Sequence, residues 1–121
     1  MDFALSEEQT AIYDMALAFG LENIAPHAAE WEKQGTIPKE LWPELGALGL
    51  GGIYVSEDSG GSGLTRLDAT LIFEALSQSC PSVASFLSIH NMCAKMLDAF
   101  GSDEVKARYL APAISMETVL S

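Results

Sequence analysis

At 121 residues the chain is one domain's worth, long enough to bury roughly two thirds of its unfolded surface without disulfides or a metal. Seventeen Asp and Glu against six Lys and Arg leave a formal charge of −11, which repels phosphate backbones and anionic lipid and argues against nucleic acid or a membrane as partner. The two cysteines, Cys80 and Cys93, fall in or beside predicted helices with no metal-ligand spacing, the pattern of free thiols in a reducing compartment.

From the N-terminus, Met1 to Gln9 has neither a basic-then-apolar leader nor transit-peptide character. Ser6 with Gln9 three residues on has capping-box spacing, and Ile12, Met15, Ala16 and Phe19 recur at helical spacing to Gly20, past which the helix can continue towards Ile24. Pro26 is placed to open a second helix carrying His27, Ala28 and Trp31, with Gly35 as its stop. Leu41, Trp42, Leu45 and Leu48 share one stripe. Pro43 would clash inside an established helix, which puts the start of this one close to it.

Six of the ten glycines then fall between Gly49 and Gly63, around a β-like fragment, Ile53-Tyr54-Val55, too short for a sheet. This stretch reads as a loop. Thr65 and Asp68 repeat the capping spacing ahead of a helix whose buried stripe is Leu71, Ile72, Ala75 and Leu76, ended by Cys80-Pro81. From about Pro81 to Phe100 runs a helix apolar almost all round, through Val83, Phe86, Leu87, Ile89, Met92, Met96 and Phe100, which leaves little face for water and predicts enclosure. Gly101 follows it. Ser102-Asp103-Glu104 starts a shorter helix with Lys106 and Arg108 later, as the helix dipole favours, and Pro112 is expected to close it. No repeat or low-complexity segment interrupts the pattern, so the expected architecture is an all-α bundle of about six helices.

The chemical inventory is thin. The glycine-rich loop holds neither Gly-x-Gly-x-x-Gly nor a Gly-Lys-Ser/Thr ending and follows no strand, so tight turning is its expected use rather than phosphate cradling. Asp58-Ser59 differs from the phosphopantetheine serine of an acyl carrier domain, because no Leu follows Ser59 and its flanks are glycines. His27 and His90 lack a second ligand or a carboxylate at helical spacing that would suggest a metal, and His90 reads as a hydrogen-bonded packing residue beside Phe86, Ala94 and Leu97. Glu30 with Lys33, and Glu104 with Arg108, read as helix-surface pairs worth about 0.2–0.5 kcal/mol each. No base, nucleophile or oxyanion constellation emerges.

One surface is unusual. Ser85, Ser88, Ile89 and Met92 cluster on one face of the long helix, with Ala84 and Met96 at its margins, so two hydroxyls interrupt an apolar surface. Close helix packing and the wall of an apolar ligand pocket both explain it.

The order Phe3-x-Leu5-x-Glu7-x-Gln9, Gly60-Gly61-Ser62-Gly63-Leu64, Leu71-Ile72-Phe73-Glu74-Ala75-Leu76 and Phe100-Gly101-Ser102 with Lys106 and Tyr109-Leu110 resembles the N-terminal helical domain of acyl-CoA dehydrogenases over nearly the whole chain. Ser62-Gly63-Leu64 with Arg66-Leu67-Asp68, and Ser88-Ile89-His90-Asn91-Met92-Cys93-Ala94, are most similar to the branched short-chain members that act in valine breakdown. The resemblance implies an FAD-dependent enzyme, a homotetramer when complete, that oxidises a short branched acyl-CoA, isobutyryl-CoA by preference, to the 2,3-enoyl-CoA and passes electrons to electron transfer flavoprotein. It further implies a β-rich middle domain and a C-terminal helical domain that supply most flavin contacts and the catalytic glutamate. Neither catalytic nor flavin-binding residues are matched within these 121 residues, which are expected to be an excised or truncated domain, inactive alone.

Matched position by position, the resemblance implies that Ala84, Ser85, Ser88, Ile89 and Met92 lie at or near substrate-lining sites, the same face that the helical wheel selects. Bulky Ile89 and Met92 imply a shallow pocket. The expected compartment is the cytoplasm, in a bacterium, or the mitochondrial matrix if a transit peptide has been removed. Two other readings stay open: a non-catalytic acidic helical interaction domain, and an acyl-CoA oxidase-like relative that passes electrons to oxygen.

Overall fold

Two capping boxes start the helices that begin at Glu7 and Arg66, and a hydrogen bond joins one box to the other. The computed structural model describes residues 1–121, which form α1 (Glu7–Asn23), α2 (Ala28–Gln34), α3 (Leu41–Ala47), α4 (Arg66–Ser77), α5 (Pro81–Phe100) and α6 (Asp103–Ile114), with one 3₁₀ turn at Glu57–Ser59 and no strand. Ser6 Oγ accepts from the Gln9 amide while Gln9 Oε1 accepts from the Ser6 amide, both at 3.1 Å; Thr65 and Asp68 cap α4 in the same reciprocal way. Gln9 Nε2 then donates to Asp68 Oδ1 at 3.2 Å, so α1 and α4 are registered at their first turns.

From there α1 packs on α4, α4 on α5 and α5 on α6, the all-α bundle expected from the sequence. Ala16, Ile24, Leu45, Ile72, Leu76 and Leu87 are fully buried in its main core, each large apolar side chain contributing about 1.5–3 kcal/mol by leaving water. No helix is long and apolar enough to cross a membrane.

The glycine-rich stretch is a loop, yet an inward-facing one: Leu50, Ile53 and Val55 are as buried as any helical residue. Glycine is required where the loop meets α6, since a Cβ at Gly51 would overlap the Ile114 carbonyl oxygen.

Four expectations are corrected. Pro26 lies in a turn and does not open α2, because the Ile24 and Ala25 amides both bond back to the Gly20 carbonyl and tighten the end of α1; α2 begins at Ala28, and Gly35, at φ 75°, ends it as expected. Pro112 does not close α6. It lacks one amide near the helix end, but the Ser115 amide still bonds to Ala111 O and buried Ala113 and Met116 hold the chain in place, so the helix runs on to Ile114. The two surface ion pairs do not form: Glu30 accepts from Gln34 Nε2 at 3.0 Å, and the Arg108 guanidinium lies over the Tyr109 ring at 5.2 Å. Finally, α5 is not enclosed. It buries Val83, Ala84, Leu87, His90, Asn91 and Ala94 and turns Phe86, Ile89, Met92, Met96 and Phe100 to the surface of this domain.

Candidate functional site

Pro81 occupies the first turn of α5, where its missing amide costs nothing, and the extended Cys80 before it turns the chain out of α4. Three polar anchors then fix the rotation of the helix. Asn91 Oδ1 accepts from the Ile53 amide at 2.8 Å, and its Nδ2 donates to Leu50 O at 2.8 Å and Leu87 O at 3.0 Å. The Leu120 amide donates to His90 Nδ1 at 3.0 Å, so the imidazole proton sits on Nε2, which is shared between Gly51 O at 3.0 Å and Ala113 O at 2.9 Å. Burial holds the His90 pKa below its ordinary value, and the ring packs as a neutral cross-link of the loop, α6 and the chain beyond α6. Towards the end of α5, Asp98 accepts from Ser59 Oγ at 2.6 Å and from the Ser56 amide at 3.0 Å, bonds that hold its carboxyl below the usual carboxylate range, and pairs with Lys106.

With that inner face fixed, the opposite face is an apolar wall. Ile89 is 42% exposed and Met92 45%. Ser88 Oγ donates back to Ser85 O at 2.7 Å, so one of the two hydroxyls on this face is bonded within its own helix. A depression of about 560 Å³ opens on the N-terminal half of the wall, lined by Pro81, Ser82, Ser85, Phe86 and Ile89, with Leu120 and Ser121 at its side.

Of the five residues expected at a substrate wall, Ser85 and Ile89 come together in this depression. Ser88 and Met92 continue the same face one turn on, and Ala84, expected at the margin, is buried in the core. The other five lining residues, Pro81, Ser82, Phe86, Leu120 and Ser121, are not among those the sequence pointed to, and two of them differ in how legible they are. Phe86 stands at helical spacing from Ser82 and Ile89, a signal present in the sequence; Leu120 arrives from the far end of the chain, for which local periodicity gives none.

None of the side chains around the depression is acidic, basic or a thiol; its polar side chains are the hydroxyls of Ser82, Ser85 and Ser121, with no base beside them, so these residues can bind and shape a mainly apolar group and offer it a hydroxyl contact. The glycine-rich loop cannot cradle a phosphate: the amides of Gly60, Gly61, Ser62, Gly63 and Leu64 donate to Glu57, Ser56, Gly52, Val55 and Ile53 carbonyls within the chain. Ser59 is likewise engaged on Asp98.

Residues 6–117 match the family described as acyl-CoA dehydrogenase, N-terminal domain. The mitochondrial isobutyryl-CoA dehydrogenase of Dictyostelium discoideum is 45% identical over 117 residues, covering 97% of this chain and 28% of that protein. Among solved structures, butyryl-CoA dehydrogenase from Megasphaera elsdenii superimposes with a TM-score of 0.87 at 33% identity, and PigA with FAD and proline with 0.89 at 33%; each comparison covers 98% of this chain and 32% of the other. The chain therefore spans less than a third of the length of these relatives. A fold of six helices with these capping boxes, a matched segment that runs nearly end to end and the identity to curated relatives carry one conclusion: the chain belongs to the acyl-CoA dehydrogenase family, through its N-terminal domain.

Proposed function

We propose that this domain supplies part of the acyl pocket of an FAD-dependent acyl-CoA dehydrogenase whose substrate is a short, branched acyl-CoA, isobutyryl-CoA by preference. The observation that carries the reading is the exposed face of α5, where Ser85 and Ile89 line an apolar depression and Ser88 and Met92 extend the wall. An acyl chain laid on this wall loses water from its methylenes, each worth about 0.8 kcal/mol when covered. Bulky Ile89 and Met92 leave little depth, which favours a short or branched group. The likeness to isobutyryl-CoA dehydrogenase supports the same preference.

In the complete protein the reaction is loss of the α-proton to a glutamate and of the β-hydrogen as hydride, giving the 2,3-enoyl-CoA; FAD supplies the hydride acceptor. The loop amides fit no FAD diphosphate, so this reading assigns the flavin to β-rich middle and C-terminal helical domains and no step of its chemistry to a residue of this chain. The likeness to PigA, solved with FAD, supports the cofactor. Electron transfer flavoprotein is the proposed electron acceptor, a homotetramer the proposed assembly, and the cytoplasm or mitochondrial matrix the proposed compartment.

The test mixes the flavin-loaded full-length protein carrying this domain with isobutyryl-, butyryl- and octanoyl-CoA, following loss of visible flavin absorbance and then turnover with electron transfer flavoprotein. Fastest flavin reduction by isobutyryl-CoA, with the unsaturated product identified by mass, is the expected result. No reduction by any acyl-CoA would overturn the reading in favour of a non-catalytic interaction domain, and turnover with oxygen alone would favour an oxidase.

A further inference from the structure

The acyl-wall depression has a neighbour. A second, larger cavity of about 1010 Å³ lies on the other side of Phe86, between α2, α3 and the start of α5, with Trp31, Ile37 and Trp42 among its walls. Pro81, Ser82 and Phe86 line both spaces. Of these three, only Phe86 has a side chain large enough to block passage and free to turn about its χ angles. Its ring stacks on Trp42, with centroids 4.6 Å apart and planes 17° from parallel. Trp42 is 6% exposed and locked into the core, so it offers a fixed surface for the ring to close on. Phe86 itself is 41% exposed.

We propose that Phe86 is a specificity-determining partition: stacked on Trp42, it ends the acyl pocket beside Ser85 and Ile89 and keeps the acyl chain out of the aromatic-walled chamber behind it. The proposal rests on the acyl-wall reading given above and deepens it by naming the residue that sets maximum chain length. The chamber would take the tail of a straight-chain acyl group of about eight carbons or more along the apolar side formed by Trp31, Ile37, Trp42 and Phe86, with Glu32 and Lys39 also among its lining residues, and it exceeds the front depression in volume. A four-carbon branched group ends before the partition and is indifferent to it.

Phe86 is thereby distinguished from Ile89. Shortening Ile89 deepens the front depression alone, whereas removing the Phe86 ring joins two spaces.

The experiment compares kcat/KM for isobutyryl-, hexanoyl-, octanoyl- and decanoyl-CoA in the flavin-loaded full-length protein, unaltered and as Phe86→Ala, Phe86→Leu and Phe86→Tyr. A methylene that gains apolar cover is worth about fourfold in kcat/KM, so Phe86→Ala should raise the ratio of octanoyl- to isobutyryl-CoA by about tenfold or more. Phe86→Tyr, which keeps the stack, should leave that ratio within about twofold of the unaltered protein. An unchanged ratio in both Phe86→Ala and Phe86→Leu, each with full flavin content and cooperative unfolding, would overturn the partition while leaving the acyl-wall reading in place. Failure of the unaltered protein to oxidise any of the four substrates would overturn both.

Discussion

Asn91 on α5 holds the buried loop by two opposed hydrogen bonds, accepting from the Ile53 amide and donating to the Leu50 carbonyl, each at 2.8 Å. A residue in the middle of an apolar helix thus supplies the main-chain partners that a strand would otherwise provide. The loop carries Leu50, Ile53 and Val55 into the core without a sheet, and its bonds help fix which face of α5 points outward.

Replacing Asn91 should be costly. Asn91→Ala leaves the Ile53 amide and the Leu50 carbonyl buried without these partners, a loss of about 2–4 kcal/mol from two unsatisfied groups. Urea unfolding followed by circular dichroism checks this on the 121-residue chain. A loss below about 1 kcal/mol would mean that water or a shifted loop replaces both bonds.

Acid should weaken the fold in two stages. Burial lowers the His90 pKa from its ordinary 6.5, so the unfolded chain binds more protons than the folded one once the pH falls below that value. The His90 contribution is complete above pH 6.5 and declines as the pH falls through the folded pKa. Asp98, lowered first by the Ser59 hydroxyl, and Asp68, lowered first by the Thr65 amide, contribute above their ordinary 3.8 and lose that contribution further into acid. Unfolding free energy measured from pH 8 to pH 3 should show the first decline in the native chain and not in a folded His90→Gln variant. Identical profiles would contradict the assignment to His90.

Asp98 ties the 3₁₀ turn and α6 to the end of α5. Its side chain is 6% exposed and accepts from both Ser56 and Ser59. Asp98→Ala should destabilise by about 2 kcal/mol through lost charge-assisted hydrogen bonds, and Lys106→Ala by less than about 1 kcal/mol, because the lysine is solvated at 3.7 Å. Paired thermal denaturation of the two variants tests the order.

The exposed face of α5 should make the 121-residue domain associate. Ile89, Met92, Met96 and Phe100 lie along one helix surface, with Phe100 85% exposed. Sedimentation at increasing concentration should show dimers or larger species and binding of an apolar-surface dye, both reduced in Met96→Lys. A monomer at every concentration that binds no dye would show that the face is tolerated in water.

Much of the fold was legible because its signals are local. The Ser6/Gln9 and Thr65/Asp68 boxes, Pro81 at the head of α5 and Gly101 at its end each act within a few residues, and the elements appear where those signals put them. Pro26 and Pro112 were misread because the deciding bonds come from neighbouring turns and from packing, not from proline itself. Periodicity could not expose the burial of Ile53 and Val55, since an irregular loop has none. At the candidate site, helical spacing found Ser85 and Ile89, while Leu120 and the Trp42 stack on Phe86 depend on contacts between segments distant in sequence.

The most direct test of the acyl wall is the substrate preference of Ile89 variants in the flavin-loaded full-length protein. Ile89→Gly and Ile89→Ala should both shift the kcat/KM ratio from isobutyryl- towards hexanoyl-CoA, by about fourfold for each methylene that gains apolar cover. Glycine also weakens a helix by about 1 kcal/mol, so the shared direction in alanine separates pocket depth from helix stability. Unchanged ratios in both folded variants would contradict the placement of the acyl group on this face of α5.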